Sequence, residues 1–469
     1  MPLIASISGI RGVVGDGLTP EVLVRYASAF GAWCRSQSPT QREGEHAKPT
    51  VVVGRDGRTT GDLCSRIVTA TLQAAGCDVV DAGLATTPTV EMAVPKVGAA
   101  GAVILSASHN PEQWNALKLL NSAGEFLSPA EADQVLALAD LTLDSDVTHA
   151  VAYEHVGSYR QEDFLDDHLD QILALDFIDP DAIAAKGFAV VVDGINSVGG
   201  FAIPALLERL GVTDVTVLNG EPTGRFAHNP EPLPAHLTQI TSAVAERGAD
   251  LGVVVDPDAD RLAFVADGGA FFGEELTQVL AADFLMRKTP GPFATNLSSS
   301  RAIEDVMVGF GHPVHRSKVG EVNVVGVMKE VGAVLGGEGN GGVILPALHY
   351  GRDALVGVAM ALQHLAETGE ALSAIKARFP SYVIAKHKLP LDGLGDPHAL
   401  LDALAARYAD RDDARLSTLD GVKLDLAEGW VHLRPSNTEP IVRVYAEAES
   451  QEAADALAIR FKQELMGQK

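Results

Sequence analysis

Short apolar runs that end at small or polar residues recur along the first three quarters of the chain. Residues 51–53, 103–105 and 190–192 form such runs, and each run is typical of a buried strand. The first run is followed by residues 63–72, whose apolar positions recur at helical spacing as far as Gly76. Strand and helix signals in this alternation predict parallel βαβ units, which place ligands at the carboxyl ends of their strands.

The last quarter of the chain has a different order of elements. The predicted elements are strands at residues 382–389, 421–426, 430–434 and 442–446, a helix at 397–409, and a final helix with Ala454, Leu457 and Phe461 on one side. This order does not fit a parallel repeat. A smaller α+β domain is therefore predicted from about residue 371.

The length of 469 residues suggests three or four domains. The apolar stretch before Asp193 echoes the one before Asp56, which favours related α/β domains in the first part of the chain. The predicted boundaries are 1–152, 153–256 and 257–370 for three α/β domains, and 371–469 for the α+β domain.

Composition and charge exclude several classes of protein. Hydrophobic residues make up 46% of the chain, which is enough for several buried cores and excludes a disordered or fibrous protein. The 36 Lys and Arg residues against 62 Asp and Glu residues give a formal net charge of −26. This charge argues against nucleic acid or an anionic membrane as a partner, but it permits an anionic substrate in a locally positive cleft. Three cysteines without paired spacing, no signal-peptide pattern and no long apolar run predict a cytoplasmic protein.

Ser108 is the first candidate for chemistry. It follows the apolar run 103–105, and the chain turns after it because Asn110 precedes Pro111. A serine hydroxyl is a weak nucleophile that needs a base or cationic surroundings, and His109 and Lys118 are close in sequence. The alternative is an ordinary strand-to-loop turn whose hydroxyls bind backbone groups.

Three alternating carboxylates form a second candidate site. Asp256, Asp258 and Asp260 follow an apolar run, and alternation at a strand end would point them to one side. Their mutual repulsion requires a cation, and a set of oxygen ligands suits Mg²⁺. An EF-hand is excluded because Arg261 stands where that loop needs glycine. The alternative is a solvated acidic turn.

Two further loops offer ligand-binding groups. In the glycine-rich loop 336–342, Glu338 and Asn340 offer partners for sugar hydroxyls, and the glycines allow close backbone approach. The loop 434–440, followed by Arg443, offers a guanidinium, hydroxyls, an amide and backbone N–H groups, which suit a phosphate. The alternatives are a flexible turn before a strand and a polar turn between strands.

These four stretches, in this order and at this spacing, resemble the α-D-phosphohexomutase superfamily, which holds phosphoglucomutases, phosphomannomutases and phosphoglucosamine mutases. The resemblance covers essentially the whole chain. It implies an α/β fold of three related α/β domains with mixed, largely parallel sheets. A smaller C-terminal α+β domain would complete a central cleft.

The resemblance also implies a role for each matching residue. It implies Mg²⁺ held by Asp256, Asp258, Asp260 and an oxygen of phosphorylated Ser108. The catalytic residues that it implies are Ser108, His109, Lys118, Arg11 and Arg261, with Lys118 assisting proton transfer. The substrate-binding residues that it implies are Lys318, Glu338, Asn340, Arg434, Ser436, Asn437, Thr438 and Arg443.

The chain departs from the family pattern at three places. Ala116 replaces a glycine before Lys118, Asn340 replaces a serine, and the N-terminal stretch 7–12 lacks a preceding Phe-Gly-Thr. Arg55 and Arg58 lie outside the matching motifs and are expected to make structural ion pairs.

The activity that the resemblance implies is transfer of phosphate between O1 and O6 of a hexose phosphate, through a phosphoserine and a 1,6-bisphosphate. Phosphoglucosamine mutase is the first choice, and phosphomannomutase or phosphoglucomutase is the alternative. A sugar-phosphate phosphatase is a more distant alternative, because it would not need the second phosphate loop. A non-enzymatic sugar-phosphate sensor is disfavoured, because it would not need the catalytic serine, lysine and aspartates that the chain keeps. The expected partners are a hexose phosphate and the bisphosphate activator, with no nucleic acid or membrane, and the expected state is a monomer or homodimer.

Overall fold

The computed structural model describes residues 3–6, 9–37, 48–141, 149–392, 394–436 and 440–467. The chain divides into two compact units. The first consists of Met1–Thr277 and Gly341–Ile375, and the second of Gln278–Asn340 and Lys376–Lys469. Among the described residues, no helix is both long and apolar enough to cross a membrane.

The first unit begins with a mixed sheet. Its strands are β1 (Ile4–Ser6), β2 (Gly9–Val14), β3 (Gly17–Leu18), β4 (Thr50–Arg55), β5 (Asp78–Leu84), β6 (Gly101–Leu105), β7 (Trp114–Leu120) and β8 (Tyr159–Gln161). Its helices are α1 (Pro20–Gln37), α2 (Gly61–Ala74), α3 (Thr87–Val97) and α4 (Pro129–Leu141). The strand order is β1-β2-β7-β6-β4-β5-β8, with β3 beside β2. Strands β6, β4, β5 and β8 run parallel, and β7 returns antiparallel to β6.

Helices cover both faces of this sheet. Val51 and Val53 of β4 pack with α1 and α2, whereas Val52 packs with α3 on the opposite face. Burial on both faces explains why β4 and β6 are uninterrupted apolar runs in the sequence. The parallel strands therefore end at one edge, where Ser108 follows β6.

A second sheet follows in the same unit. Its elements are α5 (Leu165–Leu173), α6 (Pro180–Ala184), β9 (Ala189–Asp193), α7 (Gly199–Arg209), β10 (Asp214–Leu218), α8 (Thr238–Arg247), β11 (Leu251–Val255), β12 (Leu262–Ala266) and β13 (Ala270–Phe271). Short 3₁₀ turns lie at Tyr153–His155, Pro234–His236 and Asp267–Gly269. The strand order is β10-β9-β11-β12-β13. Strand β11 is parallel to β9 and antiparallel to β12, so the acidic loop 256–261 is the connection of a hairpin.

The next stretch continues the α/β pattern. Its elements are α9 (Glu274–Leu285), β14 (Phe293–Asn296), α10 (Ala302–Phe310), β15 (Val314–Ser317), α11 (Glu321–Val331), β16 (Leu335–Glu338), β17 (Gly342–Ile344) and α12 (Ala354–Thr368). In the second unit, β14 lies between β15 and β16 and is parallel to both. Strand β17 and helix α12 belong to the first unit.

The last stretch is an antiparallel sheet with helices. Its elements are α13 (Leu372–Lys376), β18 (Val383–Pro390), α14 (Pro397–Tyr408), β19 (Ala414–Ser417), β20 (Val422–Leu426), β21 (Gly429–Pro435), β22 (Ile441–Ala448) and α15 (Gln451–Leu465). The strand order is β18-β22-β21-β20-β19, and every neighbouring pair is antiparallel. Leu404 of α14 and Phe461 of α15 pack on this sheet. The predicted change to an α+β arrangement is confirmed. The predicted domain boundaries remain a prediction.

Candidate active site

Ser108 lies in a constrained turn directly after β6. Its φ of 48° is in the left-handed region, which is unfavourable for a residue with a side chain. The Ser106 hydroxyl accepts a hydrogen bond from the Ser108 backbone N–H at 2.9 Å. Only 4% of Ser108 is exposed. The fold thus holds this hydroxyl in one position and isolates it from most of the solvent.

Arg58 fixes the backbone of the same turn. Its guanidinium is fully buried, and its Nε donates to Asp56 Oδ2 at 3.0 Å, which is the predicted structural ion pair. Its remaining nitrogens donate to four backbone carbonyls, those of Ser108, Asn110, Pro111 and Trp114. Arg58 is therefore the anchor of the serine loop, a role that the sequence prediction did not include.

The three aspartates converge, as the sequence predicts, but not through alternation along a strand. They lie in the turn that connects two strands, and the prediction that strand alternation aligns them is wrong. Strand β11 ends at Val255, and the chain then turns with Ala259 in a left-handed conformation at φ 53°. Asp256 Oδ1 accepts the backbone N–H groups of Asp260 at 3.2 Å and Arg261 at 3.1 Å, which closes the turn. All three carboxylates are buried, and a ligand atom from each lies within 4.8 Å of the others.

The serine and the aspartates meet directly. Ser108 Oγ donates to Asp256 Oδ2 at 2.5 Å. Lys118 lies on β7 beside Ile104 of β6, and its Nζ contacts Asp258 Oδ2 at 2.5 Å and Asp260 Oδ2 at 3.4 Å. Five residues from three separate stretches of the chain therefore form one buried cluster.

The carboxylate oxygens of this cluster suit a bound cation. Asp258 Oδ2 also accepts from Thr87 Oγ1 at 2.7 Å, and Asp260 Oδ2 accepts from Arg352 Nη2 at 2.7 Å. The other oxygens, Asp258 Oδ1 and Asp260 Oδ1, are buried and have no hydrogen-bond partner among the described residues. Buried carboxylate oxygens without a donor are costly unless a cation is bound. The sequence prediction of a hard-ion site agrees with this arrangement.

Charge–charge interactions shift the pKa values of these groups. Burial, together with the charges of Asp260 and Asp258, raises the pKa of Asp256 well above its usual range. Burial would also raise the pKa of Asp258, but the ammonium of Lys118 outweighs it and lowers that pKa. Burial opposes the charged form of Lys118, whereas Asp258 and Asp260 together raise its pKa. Lys118 is therefore a permanently charged partner of the aspartates.

Several cations face the same turn. Arg11 lies on β2 and its Nη1 is 3.4 Å from Asn110 Oδ1, and Arg261 Nε is 3.8 Å from Asp260 Oδ1. The positive charge of Arg261, burial and the charge of Arg11 hold the pKa of His109 well below its usual range. His109 is thus neutral, with Nδ1 3.5 Å from Ser108 Oγ. Convergent guanidinium groups around a hydroxyl suit an anionic ligand.

Sequence reasoning missed some residues that position this cluster. Besides Arg58, Thr87 and Arg352, these include Ser197, whose hydroxyl accepts from the N–H of Gly57 at 2.9 Å and donates to the carbonyl of Pro257. Ser197 therefore links the turn that carries Arg58 to the acidic loop. The Gly-Arg-Asp triplet 351–353, just before the apolar stretch 354–362, is a local signal that could have pointed to Arg352.

The residues predicted to bind the sugar lie in the second unit. Glu338 is buried, and its Oε1 accepts from Asn296 Nδ2 at 2.8 Å and from the N–H of Gly320 at 3.1 Å. Asn340 Nδ2 lies 3.4 Å from Glu338 Oε2, and Lys318 is exposed on the loop that leads to Gly320. The structure therefore brings Glu338, Asn340 and the Lys318 loop together.

Gly341, in the first unit, has a structural explanation. Its φ is +92°, its carbonyl accepts from the N–H of Leu262 at 3.0 Å, and a Cβ there would lie 2.3 Å from the Leu262 carbonyl oxygen. Close approach of two backbones requires glycine at this position. Backbone packing accounts for this glycine, and the approach of a ligand to the loop glycines stays a prediction.

The predicted phosphate loop follows β21. Arg434 on β21 is directly opposite Arg443 on β22, and Arg434 Nε has no hydrogen-bond partner among the described residues. Burial lowers the pKa of Arg434, and the charge of Arg443 adds to this effect. The N–H of Ser436 donates to the carbonyl of Ile441 at 3.0 Å. Asn437 and Thr438 lie outside the described residues.

Comparison with known proteins identifies the family. Models of the phosphoglucomutase/phosphomannomutase α/β/α domains I, II and III match residues 4–142, 166–269 and 272–382, and a model of the C-terminal domain matches residues 389–464. The chain belongs to the α-D-phosphohexomutase superfamily. The four matches in sequence order also agree with the four-domain α/β architecture that was predicted.

Relatives in this superfamily match the chain over nearly its whole length. A phosphoglucomutase/phosphomannomutase of Thermococcus kodakarensis is 35% identical over 95% of this chain and 94% of its own length. A probable phosphoglucosamine mutase of Methanopyrus kandleri is also 35% identical, over 97% of this chain and 96% of its own. The crystal structure of a phosphoglucomutase/phosphomannomutase family protein from Burkholderia thailandensis has a TM-score of 0.82 and 27% identity, covering 99% of this chain and 98% of its own.

Proposed function

We propose that this protein is a phosphohexomutase that interconverts glucosamine 6-phosphate and glucosamine 1-phosphate through a phosphorylated Ser108. The observation that carries this proposal is the buried contact of Ser108 Oγ with Asp256, inside a cluster of three carboxylates and several cations. The membership of the chain in a superfamily of phosphohexose mutases supports the reaction class.

Asp256, Asp258 and Asp260 are proposed to hold Mg²⁺, together with an oxygen on Ser108. Asp258 Oδ1 and Asp260 Oδ1, which accept no hydrogen bond among the described residues, are the groups that fit such an ion. Bound Mg²⁺ would neutralise negative charge on the phosphoryl group during its transfer. The aspartates are already held by Thr87, Lys118 and Arg352, so little reorganisation is needed.

The surrounding cations are proposed to stabilise the transferring phosphoryl group. Arg11 and Arg261 supply donors that suit phosphate oxygens. Lys118 acts through its charge, because its pKa is raised by the aspartates. When the serine is dephosphorylated, its hydroxyl donates to Asp256 Oδ2, and neutral His109, 3.5 Å from Ser108 Oγ, is a second proton acceptor, whereas charged Lys118 cannot accept a proton.

The second unit is proposed to bind the rest of the substrate. Glu338, Asn340 and Lys318 would bind sugar hydroxyls. Like charges directly opposite each other in an antiparallel pair are unfavourable, so Arg434 and Arg443 would gain from an anion between them. Arg434 and Arg443, with Ser436, Asn437 and Thr438, would therefore hold the phosphate that is not reacting.

A hexose 1,6-bisphosphate follows from this chemistry as both intermediate and activator. Phosphoserine donates its phosphoryl group to the monophosphate, and the resulting bisphosphate returns its other phosphate to Ser108. Added bisphosphate would restore enzyme that has lost its phosphoryl group.

A second candidate is activity on mannose or glucose phosphates. The Thermococcus relative carries the name phosphoglucomutase/phosphomannomutase and is as similar to this chain as the Methanopyrus protein. Glucosamine, mannose and glucose differ around carbon 2 of the sugar, and Asn340 beside Glu338 is the departure from the family pattern that bears on this choice.

Assays of purified protein on the 1-phosphates of glucosamine, mannose and glucose, with Mg²⁺ and the matching 1,6-bisphosphate, test the proposal. We expect the highest kcat/KM with the glucosamine compound. A preference for mannose or glucose would support the second candidate. Release of inorganic phosphate without isomerisation from every substrate would contradict a mutase.

Peptide mass spectrometry on protein purified without phosphatase tests the nucleophile. We expect phosphate on Ser108 and none on Ser106, whose hydroxyl is engaged by the Ser108 N–H. Ser108→Ala should keep its fold and lose turnover by orders of magnitude, since the covalent path is removed. Phosphate on Ser106, or full activity of Ser108→Ala, would show that the assignment is wrong.

A further inference from the structure

A second group of buried, metal-ligating side chains lies in the first unit, apart from the aspartate cluster. His168 on α5 and Asp353 are joined through His168 Nε2 and Asp353 Oδ2 at 2.9 Å. His349 Nε2 approaches the same Asp353 oxygen at 3.4 Å. One ligand atom from each of the three residues lies within 4.8 Å of the other two. Ligand atoms around a tetrahedral Zn²⁺ are about 3.3 Å apart, given bonds of about 2.0 Å.

Each of these side chains is also oriented from its other end. His168 Nδ1 is hydrogen-bonded to the hydroxyl of Thr89 at 3.0 Å, and His349 Nδ1 faces Glu91 Oε2 at 3.3 Å, a charge contact without hydrogen-bond geometry. Asp353 caps α12, because its Oδ1 accepts the N–H groups of Leu355 and Val356. Both imidazoles therefore direct Nε2 at the remaining oxygen of Asp353. Metal-binding histidines are typically held in this way, with the second ring nitrogen on a hydroxyl, carbonyl or carboxylate.

We propose that His168 Nε2, His349 Nε2 and Asp353 Oδ2 form a binding site for a transition-metal dication of the Zn²⁺ class. Two imidazoles and one carboxylate suit such an ion better than they suit Mg²⁺. A water molecule would complete the coordination on the side of His349, whose side chain is 12% exposed, while those of His168 and Asp353 are buried. Glu91 would orient His349 from outside the coordination sphere.

The charge balance of the cluster supports a cation. Glu91 and Asp353 are two nearly inaccessible carboxylates next to two imidazoles. Buried carboxylate charges are costly unless a cation compensates them, and a dication bound here would do so.

The site is connected to the proposed active site through its neighbours in sequence. Arg352 precedes Asp353 and donates to Asp260, and Thr87 on the helix of Thr89 and Glu91 donates to Asp258. A metal that joins α5 to the start of α12, through histidines that α3 orients, would therefore stiffen two supports of the aspartate cluster, Arg352 and Thr87. The metal site is argued from its own geometry and does not depend on the reaction proposed above.

Zn²⁺ titration of the full-length protein, after chelator treatment and in excess Mg²⁺, tests the proposal. We expect the wild type to bind one equivalent of Zn²⁺ more than His349→Gln, whose affinity at this site should fall by at least about 100-fold. Co²⁺ should give a tetrahedral absorption spectrum in the wild type and lose it in His349→Gln. Glu91→Gln should weaken binding by about 10- to 100-fold, as expected for a group that orients a ligand.

His387→Gln is the matched control, because His387 also pairs with an aspartate, Asp455, but lies in the second unit. It should bind Zn²⁺ as the wild type does. The side chain of His168 is fully buried, and its replacement can prevent folding. The test therefore uses His349→Gln, because the side chain of His349 is partly exposed. Equal Zn²⁺ stoichiometry and affinity in folded wild type and His349→Gln would show that the cluster is held by hydrogen bonds and protons alone.

Discussion

At the scale of single residues, the aspartate cluster divides its oxygen atoms between two tasks. Asp258 Oδ2 and Asp260 Oδ2 are bound by Lys118, Thr87 or Arg352, whereas the Oδ1 atoms of both are buried without a donor among the described residues. The anchored oxygens fix each carboxylate, and the others are available to a cation. Removing one negative charge should therefore affect metal binding more than the fold.

Asp258→Asn should raise the Mg²⁺ concentration needed for half-maximal activity by at least about 10-fold, because the amide preserves the shape but lacks the charge that a hard cation requires. Activity measured as a function of Mg²⁺ concentration checks this. Asp214→Asn removes an exposed carboxylate from β10 and is the matched control, which should behave as the wild type. Wild-type metal dependence in Asp258→Asn would mean that the acidic loop is structural.

At the scale of secondary-structure elements, the β6–β7 connection depends on Arg58. One guanidinium binds the carbonyls of Ser108, Asn110, Pro111 and Trp114 and so fixes the turn in which Ser108 has a left-handed conformation. Lysine can keep the ion pair with Asp56 but lacks the planar fork that reaches several carbonyls.

Arg58→Lys should lower kcat by about 100-fold, since small displacements of a reacting group have effects of this size. Steady-state kinetics checks the change, and circular dichroism checks that the variant is folded. Arg55→Lys is the matched control, because Arg55 is half-buried nearby and its Nη1 lies 3.5 Å from the Asp56 carbonyl. An equal kcat in both variants would show that the loop does not need the Arg58 guanidinium.

The sequence predicted those elements whose burial leaves a clear pattern. Strands β4, β6 and β9 are apolar runs because both of their faces are covered, and they lie where they were expected. Strand β7 was not predicted, since Asn115 and Lys118 interrupt its apolar pattern. Those two polar residues are buried, Lys118 against the aspartates. Polar residues that belong to the site therefore interrupt the apolar pattern by which β7 would have been predicted.

The same reasoning explains which site residues were found. Ser108 and the aspartates were found because they lie within a few residues of the end of an apolar run. Arg58 and Ser197 were missed as positioning residues because their partners are distant in sequence, such as Pro111 for Arg58 and Pro257 for Ser197. Such contacts depend on how the strands are ordered in the sheets, and local spacing carries no information about that order.

A buried histidine in the antiparallel sheet predicts a pH effect on stability. His432 on β21 contacts Ser298 Oγ through Nδ1 at 2.8 Å, and its Nε2 donates to the carbonyl of Asp420 at 2.6 Å. Burial lowers its pKa to about 4 and outweighs the opposing effect of Asp420, while the charges of Arg434 and Lys423 add smaller lowering contributions. A histidine in the unfolded chain has a pKa of about 6.5. Between about pH 4 and pH 6.5 the unfolded chain therefore binds a proton at His432 more readily than the folded protein does.

The stability contributed by neutral His432 is therefore fully present above pH 6.5 and is lost as the pH falls through about 4. The unfolding free energy of the wild type should decrease over this interval by up to about 3 kcal/mol more than that of His432→Gln. Urea denaturation at a series of pH values checks this. Parallel pH profiles for the two proteins would show that His432 titrates normally.

At the scale of the whole molecule, the proposed reaction needs two kinds of site. The nucleophile and the aspartates lie in the first unit, and the Arg434–Arg443 pair lies in the second. A phosphatase needs the first kind of site alone, because the phosphate near the nucleophile is the one it removes. A mutase must hold the sugar in two opposite orientations and needs the second kind of site each time.

Arg434→Ala should therefore slow both half-reactions, phosphoryl transfer to the monophosphate and return from the bisphosphate. A charge-assisted contact contributes about 1.5–3 kcal/mol, so each step should slow by roughly 10- to 150-fold. The variant should also release more bisphosphate, because this contact retains the intermediate while it reorients. Single-turnover experiments with labelled phosphate measure both rates and the released bisphosphate. Arg415→Ala, which removes an exposed arginine from β19 of the same sheet, should leave all three unchanged. Unchanged rates and no extra release in Arg434→Ala would contradict the mutase.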